Sequence, residues 1–220
     1  MVKVYMVNVR NLPDPMDEPD IMKGLDAKRT EKILCCKQQM KRKQSLGAGL
    51  LLKHIFKEYR LNMEEITCDE NGKPEVNGIY FNLSHSGENV VCAVSEKPVG
   101  CDIEKIRAYK ERIPERYFTE NERRYLEKFQ GEDRKKEFFR LWTMKESYLK
   151  MTGEGLRVSL DQIAADIDDG GKIWRKGKEC DVCIKEYDVP QYKLTVCAKE
   201  EVFDEKIYYA SIHGLNERIE

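Results

Sequence analysis

No stretch of this 220-residue sequence approaches the ~18 consecutive apolar residues that a membrane-crossing helix needs, and neither sign of charge prevails, with 39 Lys plus Arg against 40 Asp plus Glu. The first absence argues against a membrane partner. The second removes any long-range field, so charge-driven binding must be local; because the basic positions also do not interleave with exposed aromatics, nucleic acid is disfavoured. The opening MVKVYMVNVR alternates like a strand and lacks the basic start, apolar stretch and small-residue cleavage site of a secretion signal. A G-x-x-x-x-G-K-[ST] phosphate loop is missing too, as are low-complexity tracts and any visible sequence repeat.

Cysteine is present, eight times, without the spacing of a disulfide framework. Cys35 and Cys36 are adjacent in a helical stretch, while Cys92 and Cys101 occupy strand positions suited to small buried hydrophobes. A reducing, cytoplasmic compartment follows. Cys180 and Cys183 form a C-x-x-C, but no second pair stands at the spacing of a zinc ribbon.

With 40% hydrophobic residues the chain can bury a core, as one mixed domain or two small ones sharing an interface. After the first strand, PDPMDEPD marks a loop. A helical pattern then runs from Asp26 to Tyr59, with a break expected near Gly47 and Gly49 and with Ile33, Leu34, Met40, Leu50, Leu51, Ile55 and Phe56 as its apolar side. Strands at hairpin spacing are expected over 79–83, 90–94 and 99–104, separated by SHSGE and SEKP. Thr119 followed by Glu122 makes a capping box, and a further helix over 133–151 stops at Gly153 and Gly155. Strands over 163–167, 182–187, 194–198 and 206–212 complete an α+β layout in which each part carries helices packed on antiparallel strands.

Two segments carry unusual chemistry. In VGCDIEKIR, Asp102 and Glu104 lie two apart on a strand and so present both carboxylates on one side. The plain reading is a solvated strand end, with Glu104 answering Lys105 and Arg107. In FFRLWTMKESYLK, Phe138, Leu141, Trp142 and Leu149 form an apolar stripe, with Glu146 and Lys150 one turn apart beside it. A surface ion pair is the plain reading there, but a carboxylate inside so aromatic a helix is costly unless a cation meets it. Three acids from a strand and a helix are the donor type for one hard divalent cation, and Mg²⁺ suits such a set when a diphosphate and waters complete its oxygens. Positive partners for a diphosphate are available in Lys73 of NGKP, in His85 of FNLSHSG, and in Lys28, Arg29, Lys32, Lys41, Arg42 and Lys43. Each could equally be an ordinary surface group.

GKP, FNLSHSG, VGCDIEKIR and FFRLWTMKESYLKMTGEGL, in that order and spacing, resemble the 4′-phosphopantetheinyl transferases of the surfactin-synthetase-activating type, over residues 28 to 156. The resemblance implies a pseudo-dimer of two similar α+β halves, here 1–105 and 106–220, with coenzyme A in the cleft between them. It implies transfer of the phosphopantetheine arm to a serine of an apo carrier protein, with release of adenosine 3′,5′-bisphosphate. Position by position it assigns Asp102, Glu104 and Glu146 to Mg²⁺ and Lys150 to the active site. Ser84 and His85 match the pair meeting the coenzyme phosphates, Lys73 the lysine of the GKP turn, and Lys28 and Lys43 basic positions near the 3′-phosphate. Lys43 stands where the family pattern has arginine. Residues 107–118, rich in Arg and Lys, are expected to receive the carrier protein. Two internal halves would complete the cleft within one chain, hence a monomer. Two rival readings are a non-catalytic carrier or nucleotide binder, and a Mg²⁺-dependent hydrolase of coenzyme A. The usual glycine-and-glutamate helix of such hydrolases is absent.

Overall fold

A computed structural model describes residues 1–167, 171–200 and 202–210. In chain order its elements are β1 (Val2–Asn8), α1 (Ala27–Cys35), α2 (Gln39–Tyr59), the short β2 (Thr67–Cys68) and β3 (Pro74–Glu75), then β4 (Tyr80–Ser86), β5 (Asn89–Ser95) and β6 (Val99–Lys105). Then come α3 (Arg112–Tyr117), α4 (Glu120–Glu127), α5 (Gly131–Thr152), β7 (Ile163–Asp166), β8 (Lys172–Arg175), β9 (Lys178–Glu179), β10 (Cys183–Val189), β11 (Tyr192–Ala198) and β12 (Phe203–Tyr209). The last expected strand, 206–212, extends into residues 211 and 212, outside the described residues.

Alternation along the strands sorts side chains into layers. One sheet has the order β12-β1-β5-β4 and a second β10-β11-β6. Val4 and Met6 of β1 and Val91 and Ala93 of β5 meet Cys101, Ile103, Leu194 and Val196 in a core between the two sheets. The intervening residues Tyr5, Val7, Val90 and Cys92 face the other way, onto Leu46, Leu50, Ile55 and Phe56 of α2. Cys197 of β11 likewise faces α5, where Leu141, Met144, Leu149 and Met151 are buried. The result is a helix, two stacked sheets and a helix, an α+β architecture.

Three expectations are corrected. The strand over 99–104 does not continue a meander with β5; after Ser95 the chain crosses to the second sheet, where β6 pairs antiparallel with β11. Alternation gives a strand its two faces but not its neighbour. The helical stretch breaks at residues 36–38 rather than at the glycines, which lie inside α2. Both serve close packing: a Cβ on Gly47 would lie 2.4 Å from Val9 Cγ1, and one on Gly49 2.6 Å from Arg29 Cδ. Flanking that break, Leu34 and Met40 are exposed instead of buried.

The capping box forms as read. Glu122 Oε2 accepts the Thr119 N–H at 2.7 Å, and Thr119 Oγ1 accepts the Glu122 N–H at 3.4 Å. Glu122 has a second task the sequence did not reveal, pairing with the fully buried Lys145 at 2.6 Å and accepting the Ala165 N–H at 2.8 Å, which ties α4, α5 and β7 together.

Candidate active site

Where α5 crosses β6, the strand carries Gly100. A Cβ there would stand 2.2 Å from the Ser147 carbonyl oxygen and 2.3 Å from the Met151 nitrogen, so only glycine lets helix and strand approach this closely. The approach brings Lys150 over the strand. Its Nζ donates to Asp102 Oδ1 at 2.6 Å and to Ser84 Oγ at 2.9 Å, and Ser84 Oγ donates to the same Asp102 oxygen at 2.8 Å. Lys150 thus pairs with Asp102 across elements rather than with Glu146 one turn away.

Asp102 is 5% exposed, and its second oxygen, Oδ2, is buried without a hydrogen-bond partner among the described residues. Such an orphan is uncommon in a folded protein and marks an acceptor awaiting something. Glu104 Oε2 accepts from Ser86 Oγ at 2.7 Å and from Arg107 Nη2 at 3.4 Å. Burial raises the pKa of Glu104, with Asp102 adding to the shift and the Ser86 hydrogen bond opposing it. Burial likewise raises that of Glu146, reinforced by the charges of Asp102 and Glu104 and opposed by Lys150. For Lys150, burial works against the ammonium but is outweighed, chiefly by Asp102, and its pKa is raised. Three carboxylates therefore share one electrostatic environment with a single lysine amid them.

As the side chains stand, no group of three or more His, Cys, Asp or Glu among the described residues is gathered closely enough to grip a metal ion. Lys150 engages one oxygen of Asp102, Oδ1, and Ser86 and Arg107 engage one oxygen of Glu104, Oε2. The donor chemistry nevertheless fits a hard cation: all-oxygen, anionic, partly buried, and with Asp102 Oδ2 lacking a partner.

The other sequence-predicted residues divide into near and far. His85 follows Ser84 on β4 and keeps solvent access; surrounding protein first, then Lys150 and Lys32, lower its pKa. Lys73 Nζ donates to the Met151 carbonyl at 3.2 Å, anchoring the GKP turn to the end of α5, and burial lowers its pKa. Lys28 lies 3.5 Å from Cys68 Sγ, on the wall of a groove of about 1780 Å³ between α1, α2 and residues 61–74. Lys32, Lys53 and Lys57 line the same groove; the carboxylate cluster does not. Lys43 stands apart, donating to the Arg10 carbonyl at 3.2 Å. None of the eight cysteines, all among the described residues, is joined in a disulfide. Sequence reasoning missed Gly100, Asn82 and Ser86; the N-x-S-x-S alternation of residues 82–86 was the available signal.

The family model for the 4′-phosphopantetheinyl transferase superfamily matches residues 98–197, the span from β6 through β11. The 4′-phosphopantetheinyl transferase psf-1 of Bacillus pumilus is 34% identical over 186 residues, 80% of each chain. The enzyme of that name, gsp, from Aneurinibacillus migulanus is 37% identical over 158 residues, 70% of this chain and 67% of its own. Among solved structures, a holo-(acyl-carrier-protein) synthase from Bacillus anthracis, in complex with CoA (3′,5′-ADP), covers 46% of this chain and 93% of its own at 23% identity and a TM-score of 0.39. The 4′-phosphopantetheinyl transferase ffp of Bacillus subtilis is 32% identical over 227 residues, spanning 97% of this chain and 100% of its own. With kinship running end to end and a carboxylate–lysine cluster built where the matched region folds on itself, this chain belongs to the 4′-phosphopantetheinyl transferase superfamily.

Proposed function

We propose that this protein transfers the 4′-phosphopantetheine arm of coenzyme A to a serine of an apo acyl or peptidyl carrier protein, releasing adenosine 3′,5′-bisphosphate. The observation that carries the reading is the meeting of Asp102, Ser84 and Lys150 beside Glu104 and Glu146, in a chain whose full-length relative bears that activity in its name. Asp102, Glu104 and Glu146 are the residues that would hold Mg²⁺. Bound there, the ion would neutralise diphosphate charge and polarise the phosphorus under attack.

The chain's own groups account for the remainder. Lys150, kept protonated by its carboxylate neighbours, offsets charge on the departing bisphosphate. Glu146, or a water it orients, accepts the serine proton, a task suited to a carboxylate whose pKa lies above the ordinary range. Ser84 and His85 face the coenzyme phosphates, and Lys73 steadies the GKP turn against α5. Lys28 stands in the basic groove, which suits the nucleotide end; Lys43, at the Arg10 carbonyl, is the outlying member of the set.

We read 1–105 and 106–220 as the two halves of a pseudo-dimer, each with one long helix on one sheet. Two strands exchange between them: β6 joins β11, and β12 runs parallel to β1. That exchange supports a monomer with its cleft completed internally. Cysteines without disulfides support a reducing cytoplasm, and no helix among the described residues is long and apolar enough to cross a membrane.

The test is to mix the protein with coenzyme A, Mg²⁺ and an apo carrier protein, then weigh the carrier. A gain of one phosphopantetheine arm is expected. Bisphosphate release without carrier would indicate a hydrolase, and binding with neither product a non-catalytic module. We place the carrier's docking surface on residues 107–118, where Arg112 and Arg116 of α3 are exposed one turn apart. Arg112→Glu with Arg116→Glu is expected to raise KM for the carrier while leaving coenzyme A affinity unchanged. An equal loss on both substrates would move the docking site elsewhere.

A further inference from the structure

A repeat runs along the seam between the two sheets. Ser84 Oγ accepts the Ile103 N–H at 3.3 Å and donates to Asp102 Oδ1 at 2.8 Å. Two residues on, Ser86 Oγ accepts the Lys105 N–H at 3.0 Å and donates to Glu104 Oε2 at 2.7 Å. Two residues before, Asn82 Oδ1 accepts the Cys101 N–H at 2.9 Å. Strand β6 is the outer strand of its sheet, so the N–H groups on its free edge need partners. Strand β4 supplies them with side chains instead of backbone, in steps of two on both strands. Each serine hydroxyl then has one proton left, and in both rungs it goes to the carboxylate one residue before the N–H it accepts.

The two rungs differ in what else touches the carboxylate. Asp102 Oδ1 is also held by Lys150, which reaches the Ser84 hydroxyl as well. Among the described residues Glu104 has Arg107 beside Ser86, and the mostly exposed Arg107 guanidinium reaches the same oxygen that Ser86 holds. Ser86 is thus the buried, and the shorter, of the two contacts to Glu104 Oε2.

We propose that Ser86 is a positioning residue for the transfer reaction, holding Glu104 Oε2 on the face of β6 that also carries Asp102, so that the two can close with Glu146 on a divalent cation. The inference rests on the metal reading given above and assigns Ser86 no contact with substrate.

Mn²⁺, in place of Mg²⁺, is titrated into the purified protein and free ion is followed by electron paramagnetic resonance. Ser86→Ala is expected to weaken Mn²⁺ binding about 10–100-fold, the usual cost of losing a group that orients a ligand. It should lower kcat without raising KM for the carrier. Ser86→Thr, which keeps the hydroxyl, is expected to restore both. Far-ultraviolet circular dichroism checks that each variant is folded, and Ser86→Cys, with its weaker donor, replaces the alanine variant if that one is not. Unchanged Mn²⁺ affinity in Ser86→Ala, alongside a loss in Glu104→Gln, overturns the proposal and leaves the metal reading standing. Unchanged affinity in Glu104→Gln defeats the metal reading and the proposal together.

Discussion

Glu146→Gln is expected to lower kcat for phosphopantetheine transfer by about 10²–10⁴-fold, the range for removing a positioned acid or base, while raising the melting temperature. The two effects share one cause. Glu146 lies among like charges, and burial together with Asp102 and Glu104 lifts its pKa. A carboxyl group whose pKa is raised on folding binds more protons folded than unfolded, so stability falls as pH rises from the unfolded value through the folded one. Above the ordinary carboxylate range this raised pKa is a net cost to the metal-free fold, and glutamine removes that cost along with the function. Asp102→Asn should be equally inactive without the stability gain, because it also strips Lys150 of its principal partner. Turnover measured with an apo carrier and melting followed by circular dichroism check both. Undiminished turnover in either variant, or a fall in melting temperature for Glu146→Gln, would contradict the assignment.

Gly100→Ala is expected to be strongly destabilising, because among the described glycines Gly100 alone would place its Cβ within 3.0 Å of backbone atoms. Ordinary overpacking costs about 1–3 kcal/mol because side chains can give way. Here the new Cβ meets backbone, the Ser147 carbonyl at 2.2 Å and the Met151 nitrogen and Cα at 2.3 and 2.8 Å, so the whole of α5 must retreat. Since domain stabilities are only about 5–15 kcal/mol, the variant should be largely unfolded or lose the Lys150–Asp102 contact. Denaturant titration against the wild type measures the first outcome. Wild-type stability with wild-type turnover would show that α5 does not sit on β6 as described.

Local rules carried the reading of single elements. The Thr119 and Glu122 capping box forms, and α5 ends at Gly153 with a φ of 74°, where only a residue tolerant of the left-handed region serves well. The period of two was enough to place Asp102 and Glu104 on one side of a strand. What no local rule held was the crossing of α5 over β6, which depends on a tertiary approach permitted by one missing Cβ. For that reason Lys150 reads in sequence as the neighbour of Glu146 and in space as the partner of Asp102. Strand exchange was hidden for the same reason: Val99–Lys105 has the pattern of a third meander strand, and only the pairing with β11 shows otherwise. Gly47 and Gly49 misled because glycine both breaks helices and lets them pack closely, and here the second use prevails.

The proposed transfer requires one divalent ion held by Asp102, Glu104 and Glu146. Crystals grown with coenzyme A and Mn²⁺, measured at the manganese absorption edge, locate that ion directly. A single anomalous peak bonded to carboxylate oxygens of this set, with Asp102 Oδ2 among them, is the predicted result. A bound coenzyme with no such peak, and Asp102 still paired only with Lys150 and Ser84, would contradict it.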